Sequence, residues 1–217
     1  MTKMSFVGFI VKLCKRKNIV LFLGPDGSGK TSMTEEICKA KPDKMTRVYL
    51  HAESLEHIDR PLVKLLFKLM KYQKRFDKRG LLGIFIRLFC HFTRYIEMYS
   101  RILSIDEKFL FKGYVCADRY SYDYFLRALD GNRRTLEKIL YCNLFPKPKY
   151  VVLLSGSPRA IVKRKQELTE IEVLKTIEKY RNFVKYSGIP FVEIDTTENN
   201  QEHCKNIVLQ RIHLPKN

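Results

Sequence analysis

Gly24-Pro25-Asp26-Gly27-Ser28-Gly29-Lys30-Thr31 follows the apolar run Ile19-Val20-Leu21-Phe22-Leu23 without a break. The eight residues have the spacing G-x-x-x-x-G-K-T. In such a loop the glycines allow backbone conformations that aim successive N–H groups inward, Lys30 adds a mobile positive charge, and the Thr31 hydroxyl can hold Mg²⁺. The ligand that suits this loop is a nucleoside triphosphate. An ordinary glycine-rich turn needs no particular neighbours, whereas a phosphate loop sits between a buried strand and a helix. Both flanks are present, with the strand at Ile19 to Leu23 and a helix predicted over Ser32 to Lys39.

Working outward, four more short apolar segments are predicted as strands: Arg47 to His51, Tyr114 to Ala117, Tyr150 to Leu154 and Phe191 to Ile194. They are separated by helical stretches. Strands alternating with helices indicate a parallel sheet covered on both faces, and continuous apolar runs are what doubly buried strands require. The fold class expected is therefore α/β, a P-loop NTPase three-layer sandwich with a five-stranded parallel sheet and helices on both faces. Ligands of such sheets gather beyond the carboxyl ends of the strands. The phosphate loop, His51, Asp118 and the segment from Ser155 to Arg159 all fall there.

The 217 residues suit a single domain, and no repeat, low-complexity stretch or Ser/Gly-rich linker divides them. Residues 1–217 are read as one domain, with 1–18 as a basic and apolar amino-terminal extension. Six cysteines are scattered with no C-x-x-C pair, a pattern that argues against zinc and for reduced thiols in a cytoplasmic protein, with Cys116 buried in its apolar run. The apolar stretch Phe6 to Leu13 is too short to span a bilayer and is interrupted by Lys12.

A formal charge of +18 permits or demands an anionic partner. Nucleotides meet part of that demand. Nucleic acid is disfavoured, because the basic residues carry neither zinc-finger spacing nor an aromatic-rich RNA-binding signature. Residues 1–17 mix bulky apolar side chains with Lys12, Lys15, Arg16 and Lys17. Two readings stand: an interfacial helix making peripheral membrane contact, or a segment that packs beside the first strand with its basic end in water.

Asp118 follows Tyr114-Val115-Cys116-Ala117 and opens Asp-Arg-Tyr-Ser-Tyr-Asp. A carboxylate at that strand end can orient Mg²⁺ or its waters beside Thr31, and Arg119 can neutralise a phosphate. Together with the phosphate loop, and with Phe145-Pro146-Lys147-Pro148 before the fourth strand, Ser157-Pro158 after it and Phe191 to Thr196 near the end, the chain resembles the thymidylate kinase family of P-loop nucleoside monophosphate kinases. The resemblance covers most of the chain; the segments at 24–31 and 118–120 are its specific parts.

The resemblance implies phosphoryl transfer from ATP, with Mg²⁺, to a phosphorylated small-molecule acceptor, dTMP being the first candidate. It implies that Gly24, Asp26, Gly27, Ser28, Gly29, Lys30, Thr31 and Ser32 form the donor-phosphate site, with Arg159 and Thr196 also at the nucleotide. Asp26 would face the acceptor's sugar, Arg119 would hold the acceptor phosphate, and Arg164 would match a basic residue of the lid. Thr31 and Asp118 would serve the metal. Family members often pair through helices, so a homodimer is implied as well. Catalysis of this kind is positioning and charge neutralisation.

The acceptor side is less determined. Lys64, Lys68, Lys71 and Arg75 recur at helical spacing opposite Leu62, Leu65, Leu66 and Leu69, a solvated face on a packed helix. Arg87, His91, Arg94 and Arg101 share another helical face, and Arg94 or Arg101 is the candidate acceptor-binding arginine; a solvated stripe is the alternative. His51, Tyr120 and Asp123 are further acceptor-wall candidates, with His51 equally readable as a hydrogen-bonded structural histidine and Tyr122 as pocket or as core.

Three departures from the family leave the acceptor open. His51-Ala52-Glu53-Ser54 replaces the Arg-Glu-Pro motif, the lid between Arg164 and Tyr180 is short, and Leu153-Leu154-Ser155-Gly156 stands where an acidic residue is usual. A sugar phosphate or another non-nucleotide acceptor is therefore an alternative substrate, and a non-catalytic nucleotide-binding adaptor at a membrane surface is an alternative function.

Overall fold

The strand that enters the phosphate loop, β1 (Ile19–Leu23), is buried at every residue and lies at the centre of a five-stranded sheet. The computed structural model describes residues 18–49, 112–122 and 145–212, with positions 68, 85, 89, 92, 95, 96, 98, 99, 101, 102, 105, 109 and 126. The 1–17 segment, His51, Arg94 and Asp123 lie outside the described residues. The chain groups into two compact units, Met1–Val48 with Asp106–Asn217, and Tyr49–Ile105.

The other strands are β2 (Met45–Tyr49), β3 (Tyr114–Asp118), β4 (Tyr150–Ser155) and β5 (Phe191–Asp195), in the spatial order β2-β3-β1-β4-β5. All five run parallel. Ile19 pairs with Val115 and Phe22 with Asp118 on one side of β1, and Val20 pairs with Tyr150 and Leu23 with Leu153 on the other. This register brings the end of β3 level with the start of the phosphate loop. Four helices are assigned along the described stretches: α1 (Lys30–Ala40), α2 (Pro158–Arg164), α3 (Glu170–Ser187) and α4 (Gln201–Arg211).

Three strands end one residue beyond their apolar runs, at Asp118, Ser155 and Asp195, so polar residues occupy the last ladder positions. Helix α1 starts at Lys30, two residues before the prediction. Strand β2 also starts two residues early. Met45 is buried in the core, and Lys44 accepts a 2.7 Å hydrogen bond from the Tyr114 amide, so pairing with β3 starts as soon as the turn at 41–44 closes. The polar Thr46 concealed this start.

The core between the sheet and helices α1 and α4 contains Phe22, Met33, Ile37, Cys116, Val152, Leu154, Cys204 and Val208. Burying an aliphatic or aromatic side chain of this size contributes about 1.5–3 kcal/mol before ordering entropy is subtracted. The Tyr114 hydroxyl donates to Ile212 O at 2.9 Å, tying the end of α4 to β3. Cys116 is fully buried, as its sequence context predicted, and the Cys38 thiol contacts it from α1. That thiol–thiol hydrogen bond holds Cys38 below its ordinary pKa, whereas the same bond and burial push Cys116 well above it.

Helix α3 opens with a reciprocal cap. Thr169 Oγ1 accepts from the Glu172 amide at 3.3 Å and the Glu172 carboxylate accepts from the Thr169 amide at 2.8 Å. The Thr169 amide and hydroxyl, both donating to that carboxylate, hold the Glu172 acid below its usual range, so the box is complete at neutral pH and is lost as pH falls through the folded-state pKa. Thr169→Ala is expected to cost about 1 kcal/mol. Urea unfolding checks this through a lower midpoint at unchanged slope; an unchanged midpoint rules the contribution out.

Candidate active site

The phosphate loop turns sharply between β1 and α1. Gly29, the residue before α1, has φ 85° and no side chain caps the helix, so no capping side chain occupies the amides of its first turn. Gly27 has φ 88°, and a Cβ there would lie 2.9 Å from the carbonyl of Ile161, so only glycine lets α2 pass this close. Ser28 is fully buried, and its Oγ has no hydrogen-bond partner among the described residues.

Lys30 is only 6% exposed. Its ammonium donates to the carbonyls of Gly24 and Pro25, both at 2.7 Å, and stands 3.7 Å from Asp26 Oδ1. Arg119 also pairs with Asp26 Oδ1. Asp26 therefore has a cation on either side. Arg119 adopts φ 68°, an uncommon backbone state for a residue with a side chain, at the turn where β3 ends.

Thr31 Oγ1 donates to Asp118 Oδ2 at 2.7 Å, which joins the two motifs that were 87 residues apart in sequence. Asp118 is 1% exposed. Its other oxygen, Oδ1, is buried and has no hydrogen-bond partner among the described residues. A buried carboxylate oxygen left over beside a hydroxyl and a phosphate loop is a donor set that fits Mg²⁺, which takes one or two protein oxygens and completes its shell with water and phosphate.

The loops after β4 and β5 are joined. Thr196 donates from its amide to Ser155 O at 3.0 Å, and the Ser157 amide donates to Thr197 Oγ1 at 3.0 Å. Burial opposes ionisation of Asp195, but hydrogen bonds from the Thr197 hydroxyl and amide and the Glu198 amide outweigh it and hold its acid below the usual range. Arg164 reaches this corner, donating to Thr196 O at 2.8 Å and to Thr196 Oγ1 at 3.2 Å. Two sequence candidates thus meet here, Arg164 and Thr196, while Arg159 lies exposed on α2 and Ser32 exposed on α1.

Tyr120 is fully buried; its hydroxyl donates to Pro146 O, and its ring meets Tyr122 at 5.4 Å and Phe145 at 5.0 Å. Arg101, in the other unit, is helical and donates to Tyr49 O at 3.0 Å.

The sheet order, the phosphate loop and the strand-end aspartate can now be set beside known proteins. The chain matches no protein-family model and no curated protein sequence. Solved structures do match. YorR from Bacillus subtilis, in complex with phosphorylated GDP, is 15% identical with a TM-score of 0.52, over 90% of this chain and 96% of that one. Thymidylate kinase from Ehrlichia chaffeensis is 16% identical with a TM-score of 0.52, over 92% of this chain and all of the other.

The fold is that of the P-loop nucleotide kinases. Deoxyadenosine kinase from M. mycoides, with dCMP and a flexible dCDP bound, also matches at 16% identity and a TM-score of 0.52, over 91% of this chain and 100% of that one. A thymidylate-kinase-like P-loop kinase fold accounts for the position of the loop at the end of the central strand and of Asp118 at the end of its neighbour.

One charged residue of the site was not expected from sequence. Arg47, on β2, places Nη1 2.6 Å from Glu35 Oε1 of α1 and Nη2 3.4 Å from Asp118 Oδ2. The available signal was a basic residue inside a strand pattern, facing a helix that carries Glu35.

Proposed function

We propose that this chain is an ATP- and Mg²⁺-dependent kinase of a nucleoside monophosphate, with dTMP as the first acceptor to try. The observation that carries the proposal is the Thr31–Asp118 hydrogen bond at the mouth of the phosphate loop. It joins a hydroxyl and a carboxylate at one point beside the amides of α1. The fold shared with three nucleotide-handling proteins supports the same reading.

In this reading the amides from Gly27 to Thr31 and the Lys30 ammonium bind the β- and γ-phosphates. Thr31 and Asp118 hold the metal, which when bound would neutralise charge on the transferring phosphoryl group. Asp26 and Arg119, already paired, face the acceptor, Arg119 supplying charge to its phosphate and Asp26 orienting its sugar. Arg164 and Thr196 close around the donor base, with Arg159 nearby, so Arg164 would reach the phosphates only by leaving Thr196. The chain works as one kinase domain with a short lid near 159–172. Among the described residues no helix is long and apolar enough to cross a membrane.

The first test is thermal unfolding with and without ATP and Mg²⁺. A ligand at a hundred times its Kd stabilises by about 2.7 kcal/mol, which moves the midpoint upward by several degrees. No shift defeats the reading at the donor site. The second test offers dTMP, other nucleoside monophosphates and sugar phosphates with ATP and follows ADP release. Turnover with dTMP alone fixes the acceptor, turnover with sugar phosphates replaces it, and nucleotide binding without turnover favours the adaptor.

A further inference from the structure

We propose that Arg47 is a resident countercation of the metal-binding carboxylate, which Mg²⁺ must outcompete and which takes the charge back when the metal leaves. The inference rests on the metal–nucleotide reading of the site and adds to it a residue on a different strand. Asp118 is 1% exposed, and Oδ2 accepts both Thr31 Oγ1 at 2.7 Å and Arg47 Nη2 at 3.4 Å. A carboxylate taken this far out of water is costly unless a cation compensates it. Arg47 is the described cation that provides this compensation, and it does so at one oxygen only. Oδ1 is left buried and unpartnered among the described residues, which leaves a coordination position open.

Glu35 determines how strongly Arg47 bears on the site. Its carboxylate holds Nη1 at 2.6 Å, so the guanidinium is shared between a half-exposed acid on α1 and the buried acid on β3. Arg47 Nε is itself buried without a partner, so the side chain is held by its two carboxylates rather than by a full set of hydrogen bonds. A cation arriving at Asp118 meets repulsion from Arg47, and a guanidinium eased toward Glu35 lowers that repulsion. The chain Glu35–Arg47–Asp118 therefore sets the affinity of the site for a divalent ion in both directions.

The experiment measures Mn²⁺ bound to the full-length protein with ADP present, by electron paramagnetic resonance, which needs no turnover. Arg47→Met keeps the length of the side chain and removes the charge; it is expected to tighten Mn²⁺ binding by about fivefold or more. Arg47→Lys keeps the charge and should stay close to wild type. Glu35→Gln releases the guanidinium toward Asp118 and should weaken Mn²⁺ binding, although it removes a negative charge only from the periphery. Opposite signs for Arg47→Met and Glu35→Gln support the proposal, because a purely structural staple would weaken both alike. Unchanged or weaker binding in Arg47→Met, with wild-type binding normal, overturns the role of Arg47 alone. Wild-type protein that binds ADP but no Mn²⁺ overturns the metal reading itself, and this proposal with it.

Discussion

Lys30→Ala is expected to lower the rate of phosphoryl transfer by about a thousandfold or more while nucleoside binding through the base persists. The Lys30 ammonium is the charge held inside the loop, donating to two loop carbonyls at 2.7 Å and only 6% exposed. When phosphate oxygens occupy the loop, the same ammonium is within reach of them by rotation about a flexible stem; Arg119, the other cation at the loop, pairs with the Asp26 side chain. Truncation also removes the ammonium donor from the Gly24 and Pro25 carbonyls, Pro25 keeping the Ser28 amide at 3.2 Å, so some stability is lost as well. Lys30→Met, which retains the apolar stem, separates the two effects. Both variants should lose turnover, and Lys30→Met should melt closer to wild type. Turnover within about tenfold of wild type in either folded variant would exclude the loop as the donor site.

Asp118→Asn is expected to reduce turnover at moderate Mg²⁺ by roughly a hundredfold, with partial recovery as Mg²⁺ is raised. The amide keeps an oxygen to accept from Thr31 and nearly the same volume at a fully buried strand end, so the fold should survive. What disappears is the negative charge that a divalent ion needs. Recovery with Mg²⁺ distinguishes weakened metal binding from a collapsed site; a rate that falls equally at all Mg²⁺ concentrations would point to lost positioning. Wild-type activity and wild-type Mg²⁺ dependence in this variant would remove Asp118 from the metal site.

How much of this could be read without coordinates depends on the reach of the interactions concerned. β1, β3 and β4 were visible because burial on both faces demands continuous apolar runs, and β1 appears at its predicted boundaries; β2 and β5 are only partly buried and carry Arg47 and Glu193 within their runs. What local sequence left unread lies where polar residues are stabilised by partners distant in sequence. Met45 and Thr46 extend β2 ahead of its predicted start at Arg47, where the Lys44 carbonyl already accepts from the Tyr114 amide, and Tyr120, an acceptor-wall candidate by sequence, is enclosed by Pro146 and Phe145. The family resemblance implied a lid role for Arg164, and the structure adds that its guanidinium donates to Thr196 beside the ends of β4 and β5.

The sequence by itself determined the backbone chemistry of the loop, because glycines at fixed spacing followed by lysine and threonine constrain φ angles and donors locally. It determined the parallel sheet through its apolar periodicity. Only the tertiary structure decided which charges share a site. A hydrogen bond of 2.7 Å between Thr31 and Asp118, and a guanidinium divided between Glu35 and Asp118, depend on the register of β3 against β1 and on the packing of α1, and no local pattern encodes either.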